Sequence, residues 1–235
     1  MVHIYTDENG VLQFVGDPSD LVPPTTVRRS DWKPGPEITA AVVRIGEGGR
    51  GFIVEGDFAP RIITAAHCLP ELPPAHGASY PEERHYGCFL SKLGAEPSIS
   101  VECLFVDPVS DLAVLGEPSE QLPDQQEAYE ALVESVTPLS IDAVEGAVQA
   151  WLLSLDGVWF PCIVQHSGPA LWIRDVAQPI KSGMSGSPIM VDGKAVGVVC
   201  ISAVNPDHAP HGPNPALAQC LPAWLAQKPN RRDRA

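Results

Sequence analysis

The chain has 235 residues, 44% of them hydrophobic and only 19% charged, which marks a folded globular protein long enough to bury a substantial core. A formal net charge of −14 argues against nucleic acid or an anionic membrane as partner, because phosphate binding needs clustered Lys and Arg. Only the tail Arg231-Arg232-Asp233-Arg234 is locally basic, and it reads as a solvated end. No stretch approaches the ~20 apolar residues of a membrane helix. The start, "MVHIYTDENGVLQFVGD", lacks the basic opening and apolar run of a secretory signal. The expectation is therefore a cytoplasmic protein, with secretion open only for a chain trimmed of its signal.

In chain order, residues 1–36 read as an N-terminal arm. It opens with a small hairpin around Asn9-Gly10, since Asn-Gly supplies the positive φ of a two-residue turn. A Pro-rich stretch, "DPSDLVPPTTVRRSDWKPGPE", follows as linker or wrapping arm. From Ile38 the texture changes to short β-type runs broken by Gly and Pro, among them "AAVVRIG", "GFIVEG", "RIITAA", "SISVECLFV", "AVQAWLLSLDG" and "KAVGVVCISAV". Many short strands with regular turn signals predict an all-β barrel or sandwich over residues 37–228, with 229–235 as a tail. "LPDQQEAYEALVESV" (122–136) has helical spacing and falls at a junction near 117–140 between two strand-rich halves. "NPALAQCLPAWLAQ" (214–227) predicts a C-terminal helix, with Asn214 as N-cap and Pro215 in its first position. The six cysteines are scattered and form no C-x-x-C pair, which argues against a zinc ribbon; their even number permits three disulfides, while free thiols in a reducing compartment are the favoured expectation.

Serine is a poor nucleophile at neutral pH. It needs an imidazole to take its proton, a carboxylate to orient that imidazole, and donors for the oxyanion. "RIITAAHCL" ends a strand with His67, "DPVSDLAVLG" puts Asp111 at the start of an apolar run, and "KSGMSGSPIM" sets Ser185 between glycines that allow a sharp bend. "TAAHC" (64–68), "DLAVL" (111–115) and "GMSGSP" (183–188), spaced by 44 and 74 residues, resemble the signature blocks of trypsin/chymotrypsin-like serine peptidases, in the spacing of their bacterial members. That resemblance implies two packed six-stranded antiparallel β-barrels, here with the C-terminal helix and short arm added, and a serine endopeptidase working through an acyl-enzyme. It assigns Ser185 as nucleophile, His67 as general base then acid, and Asp111 as the residue that fixes the imidazole's tautomer. The backbone N–H groups of Gly183 and Ser185 become the oxyanion hole. Asp107 competes for the acid role, but the apolar "LAVL" after Asp111 fits the family pattern better.

The same resemblance puts Cys200, Ile201 and Ser202 on the substrate-binding wall, with Cys200 replacing a serine common beside the aspartate. No acid stands where trypsin-type members hold a basic P1 residue, so a neutral P1 is implied despite the nearby Lys181. Met184 stands where many relatives carry Asp or Asn. Cys68 follows the histidine as in secreted relatives, but "GRGFIVEG" offers no cysteine to pair with it. No activation site of the Ile-Val-Gly-Gly type precedes the barrels.

Competing readings are weaker. An α/β-hydrolase would run Ser, Asp, His, using Asp207 and His208, but Ser187 breaks its G-x-S-x-G motif. His208 with His211, or His85 with Cys88, are thin metal pairs, so neither a metal nor a cofactor is expected. The alternative of another kind is a catalytically silent trypsin-like domain acting as a protein-binding or regulatory module. Under the main reading the partners are a protein or peptide substrate and a regulatory protein.

Overall fold

A computed structural model describes residues 3–6, 12–15, 26–56, 59–74, 81–118, 123–167, 170–200 and 216–221. Strands β1 (His3–Thr6) and β2 (Leu12–Val15) pair antiparallel with Thr6 opposite Leu12, whereas the expected two-residue turn at Asn9-Gly10 would set Thr6 opposite Gln13; the turn itself lies outside the described residues. Residues 28–32 then run along the second half of the molecule. The Arg28 amide donates to Ala147 O at 3.0 Å, the Gln149 amide donates to Arg28 O at 2.9 Å, and the Trp151 indole N–H reaches Trp32 O at 3.1 Å.

The sequence reading starts β-structure at Ile38, but residues there form a short helix, α1 (Pro36–Ala40). Pro36 explains it, because a fixed φ and a missing N–H suit the first turn of a helix. Six strands follow: β3 (Val42–Ile45), β4 (Gly49–Val54), β5 (Arg61–Thr64), β6 (His85–Lys92), β7 (Ile99–Asp107) and β8 (Leu112–Gly116). They close into a barrel in the order β3-β4-β5-β8-β7-β6, the last seam joining Val43 to Lys92. Closure removes sheet edges, and inward side chains such as Ile45, Ile53, Ile62, Leu90, Val101 and Leu115 fill the interior.

The helical spacing of 122–136 is realised as α2 (Pro123–Glu134). It turns Tyr129, Leu132 and Val133 into the first barrel's core, and the Tyr129 hydroxyl donates to Pro60 O at 2.8 Å. After β9 (Ser140–Ile141) come β10 (Ala147–Leu153), β11 (Trp159–Ser167), β12 (Ala170–Arg174), β13 (Pro188–Val191) and β14 (Lys194–Val198).

The expected C-terminal helix is not formed over its first part. Residues Ala216–Cys220 are a strand, β15, pairing with β12 (Leu171 opposite Ala218) and with β14 (Gly197 opposite Cys220). Without it β12 and β14 would each present an unpaired edge. Satisfying that row of backbone groups outweighs the helix propensity of an Ala- and Leu-rich segment. With β15 in place, the pairings run β13-β10-β11-β12-β15-β14 and return to β13, and β9 adds parallel to β14. The rest of the expected helix, 222–227, lies outside the described residues.

Each barrel has its own apolar core, and a third cluster joins them. Phe52, Ile63 and Leu112 from the first barrel meet Trp151, Met190 and Val198 from the second. The two halves therefore pack as one body with the ends of β5, β8 and the segment before β13 brought together.

Candidate active site

Antiparallel pairing of β5 with β8 sets Thr64 opposite Ala113, and two residues further along it carries Ala66 to Asp111. The Ala66 amide donates to Asp111 O at 3.1 Å. A short 3₁₀ turn, Ala66–Cys68, then presents His67. Asp111 adopts a left-handed φ of 49° at the entrance to β8. That conformation, tolerable for Asp, turns its carboxylate back over the histidine. One oxygen accepts the His67 backbone N–H at 2.9 Å and the other lies 2.7 Å from Nδ1 of the ring. Two bonds from one carboxylate fix both the backbone and the ring of His67.

Asp107 has another task. Its Oδ1 accepts the amides of Val109 and Ser110, closing the turn between β7 and β8, and hydrogen bonding from the Ser110 side chain, followed by these amides, holds its carboxyl below the ordinary range. Of the two aspartates, Asp111 is the one whose carboxylate lies against the His67 ring.

Ser185 approaches from the second barrel. The turn before β13 is tied internally by the Met184 amide to Lys181 O (3.1 Å) and the Ser187 amide to Met184 O (3.1 Å). It is also tied externally by the Gly186 amide to Val199 O (2.7 Å) and the Arg50 amide to Ser185 O (2.8 Å). Met184, unexplained by its position in the motif, is 1% exposed in the second barrel's core, and its sulfur accepts the Lys181 amide at 3.3 Å. Among the described residues, the amides of Gly183 and Ser185 donate no hydrogen bond. They are two unspent donors flanking the serine.

His67, Ser182, Gly183 and Ser185 line one hollow of about 720 Å³, which extends past Cys68, Leu69 and Pro70 to the β3–β4 turn at Gly46–Gly49. The His67 side chain is 47% exposed into it, while the Asp111 carboxylate behind is 25% exposed. Cys68 points to the gap left by Gly49, where a Cβ would lie 2.6 Å from its sulfur, and burial pushes its thiol pKa up. Among the described residues, Cys68, Cys88, Cys103, Cys162 and Cys200 are free thiols.

Of the proposed substrate-wall residues, Cys200 is buried at the end of the β14 segment, its thiol 3.5 Å from Asp111 O. Ile201 and Ser202 lie outside the described residues, as do His208 and His211. Among the described residues no three His, Cys, Asp or Glu side chains converge as a metal site, and no helix is long and apolar enough to cross a membrane.

One participant carries no motif. Arg50, a charge inside the apolar run "GRGFIV" of β4, is 6% exposed and donates to Leu153 O and Ser154 O, both at 2.9 Å. Burial pulls its pKa down, opposed by Asp156, yet a guanidinium stays charged at neutral pH. The sequence signal was the lone Arg in a strand that is otherwise apolar.

Two packed antiparallel barrels, with His67 and Asp111 supplied by one and Ser185 by the other, make this a chymotrypsin-like double-barrel fold. No protein-family model and no curated protein matches the chain. Among solved structures it is similar to Rv3671c from M. tuberculosis H37Rv, an inactive serine-to-alanine form, at 19% identity over 86% of this chain and 92% of that one, with a TM-score of 0.43. The MamO protease domain from Magnetospirillum magneticum is 16% identical over 81% and 95% of the two chains at a TM-score of 0.46. Deg5 is 20% identical over 78% and 85%, at a TM-score of 0.48.

Proposed function

We propose that the protein is a serine endopeptidase that hydrolyses peptide bonds of a protein or peptide substrate through His67, Asp111 and Ser185. The observation that carries this reading is the His67–Asp111 pair, joined at 2.7 Å, opening on the same hollow as Ser185. The Ser185 hydroxyl attacks the scissile carbonyl while Nε2 of His67 takes its proton. Asp111 holds the proton on Nδ1, keeping Nε2 as the acceptor, and stabilises the imidazolium that forms. The carbonyl oxygen becomes an anion, and the unspent amides of Gly183 and Ser185 are the donors suited to it. His67 then passes its proton to the leaving amine, and water repeats the sequence on the acyl-enzyme. Because that transfer must occur beside the imidazole, the hollow running past Cys68–Pro70 suits the substrate residues that follow the scissile bond.

The test is covalent labelling by a fluorophosphonate probe together with turnover of a diverse peptide library. Wild-type protein should label and cleave, whereas Ser185→Ala should do neither. Ser185→Ala and His67→Ala should each lower kcat by roughly 10⁵–10⁶ with substrate binding little changed. Well-folded wild-type protein that neither labels nor cleaves would overturn the peptidase reading in favour of a silent binding module.

A further inference from the structure

Arg50 touches both flanks of the proposed nucleophile. Its backbone N–H donates to Ser185 O at 2.8 Å, and its backbone oxygen accepts the Thr64 hydroxyl at 2.6 Å. Its side chain crosses to the second barrel and donates to two successive carbonyls, Leu153 and Ser154, at the end of β10. Those carbonyls begin a turn that is otherwise closed on itself. The Ser154 amide donates to Val158 O, the Gly157 amide to Ser154 O, and the Ser154 hydroxyl bonds to Val158 O and to the Asp156 carboxylate. At its tip, Leu155 lies beside Gly183: a Cβ on Gly183 would stand 3.2 Å from Gly48 O and 3.3 Å from the leucine methyl. Gly183 has a φ of +89° and carries one of the two unspent amides.

We propose that Arg50 is a positioning residue. Its guanidinium clamps the 154–157 turn so that Leu155 fixes the Gly183 amide, while its backbone fixes Ser185. This rests on the peptidase reading and extends it by naming what holds the oxyanion donors in place. A buried guanidinium suits the task because its rigid fork holds donors on two separate nitrogens, one for each carbonyl, and charge-assisted bonds of this kind are about twice as strong as neutral ones. The arrangement joins the two barrels directly behind the reacting atoms. A shift of about 1 Å in such a donor is enough to cost on the order of 10²-fold in rate.

The experiment compares wild type with Arg50→Met, Arg50→Lys and Leu155→Ala, each assayed where circular dichroism shows it fully folded. The readouts are the fluorophosphonate labelling rate and separate kcat and KM on one peptide substrate. Arg50→Met should lower kcat and labelling about 10–100-fold with KM within about two-fold of wild type. Arg50→Lys should recover part of the loss, and Leu155→Ala, at an exposed tip, should lower kcat several-fold without touching the guanidinium. A folded Arg50→Met protein with wild-type kcat would overturn the proposal. If Arg50→Met does not fold, Leu155→Ala decides, and an unchanged kcat overturns it. If wild type itself neither labels nor cleaves, the peptidase reading falls, and amide exchange at residues 183–186 decides the clamp. Faster exchange in Arg50→Lys supports it, and unchanged exchange overturns it.

Discussion

Gly186 stands at φ +81°, and a Cβ on it would lie 1.7 Å from Arg50 O and 2.6 Å from the Thr64 hydroxyl. The obstruction is backbone, which cannot swing away as a side-chain end can. Gly186→Ala must therefore push the serine turn off β4, breaking the Arg50–Ser185 bond. Overpacking together with left-handed strain should lower stability by roughly 2–4 kcal/mol. Labelling of the remaining folded protein should fall at least about 100-fold. Thermal unfolding followed by labelling below the transition checks both, and a variant that labels normally would show that the turn relaxes. At this scale the catalytic candidates were legible, because His67, Asp111 and Ser185 each sit in a short motif whose residue types state their chemistry. Arg50 was not, since its meaning depends on β4 crossing the end of β10, 103 residues away in sequence. Which aspartate lies against the imidazole also could not be read from the sequence: Asp107 instead accepts the turn amides of Val109 and Ser110.

Elements depend on their neighbours in the same way. α2 was readable because its apolar positions recur at helical spacing and its inward residues Tyr129, Leu132 and Val133 confirm the stripe. β15 was not, because "ALAQC" has no strand pattern of its own, and only the open edges of β12 and β14 make it one. Local periodicity predicts an element that packs a face; it says little about one recruited to finish a sheet. Tyr129 tests how firmly α2 is fastened. Its ring is fully buried, and its hydroxyl is the donor to Pro60 O on the approach to β5. Tyr129→Phe keeps the ring and removes the donor, so the cost should be about 1–2 kcal/mol. For a chain of this length that is a fall of roughly 2–8 °C in Tm. A Tm within about 1 °C of wild type in a calorimetric scan would mean that the bond adds little beyond ring packing.

Across the whole molecule, both barrels bury groups that ionise only in alkaline solution. Burial raises the Cys103 thiol from 9.0 to about 11 and the Tyr86 phenol to about 12, and it pushes Cys162 and Tyr129 upward as well. The folded state therefore keeps protons that the unfolded chain has already released. Wherever the native state binds more protons, stability falls as pH rises. Here the loss begins near pH 9, where an exposed thiol ionises, and for Cys103 it is complete by about pH 11. Each unit of separation corresponds to ~1.4 kcal/mol. The net charge of −14 acts in the same direction, because further ionisation adds self-repulsion. Salt separates the two causes, since it screens exposed charges but leaves a buried thiol's desolvation nearly intact. Urea unfolding midpoints should be level from pH 7 to 8.5 and then fall steadily to pH 11, with 0.5 M salt restoring only part of the loss. Cys162→Ala should flatten the decline relative to its own value at pH 7. A decline abolished entirely by salt would assign it to surface repulsion, and a level profile to pH 11 would mean the thiols ionise without opening the barrels.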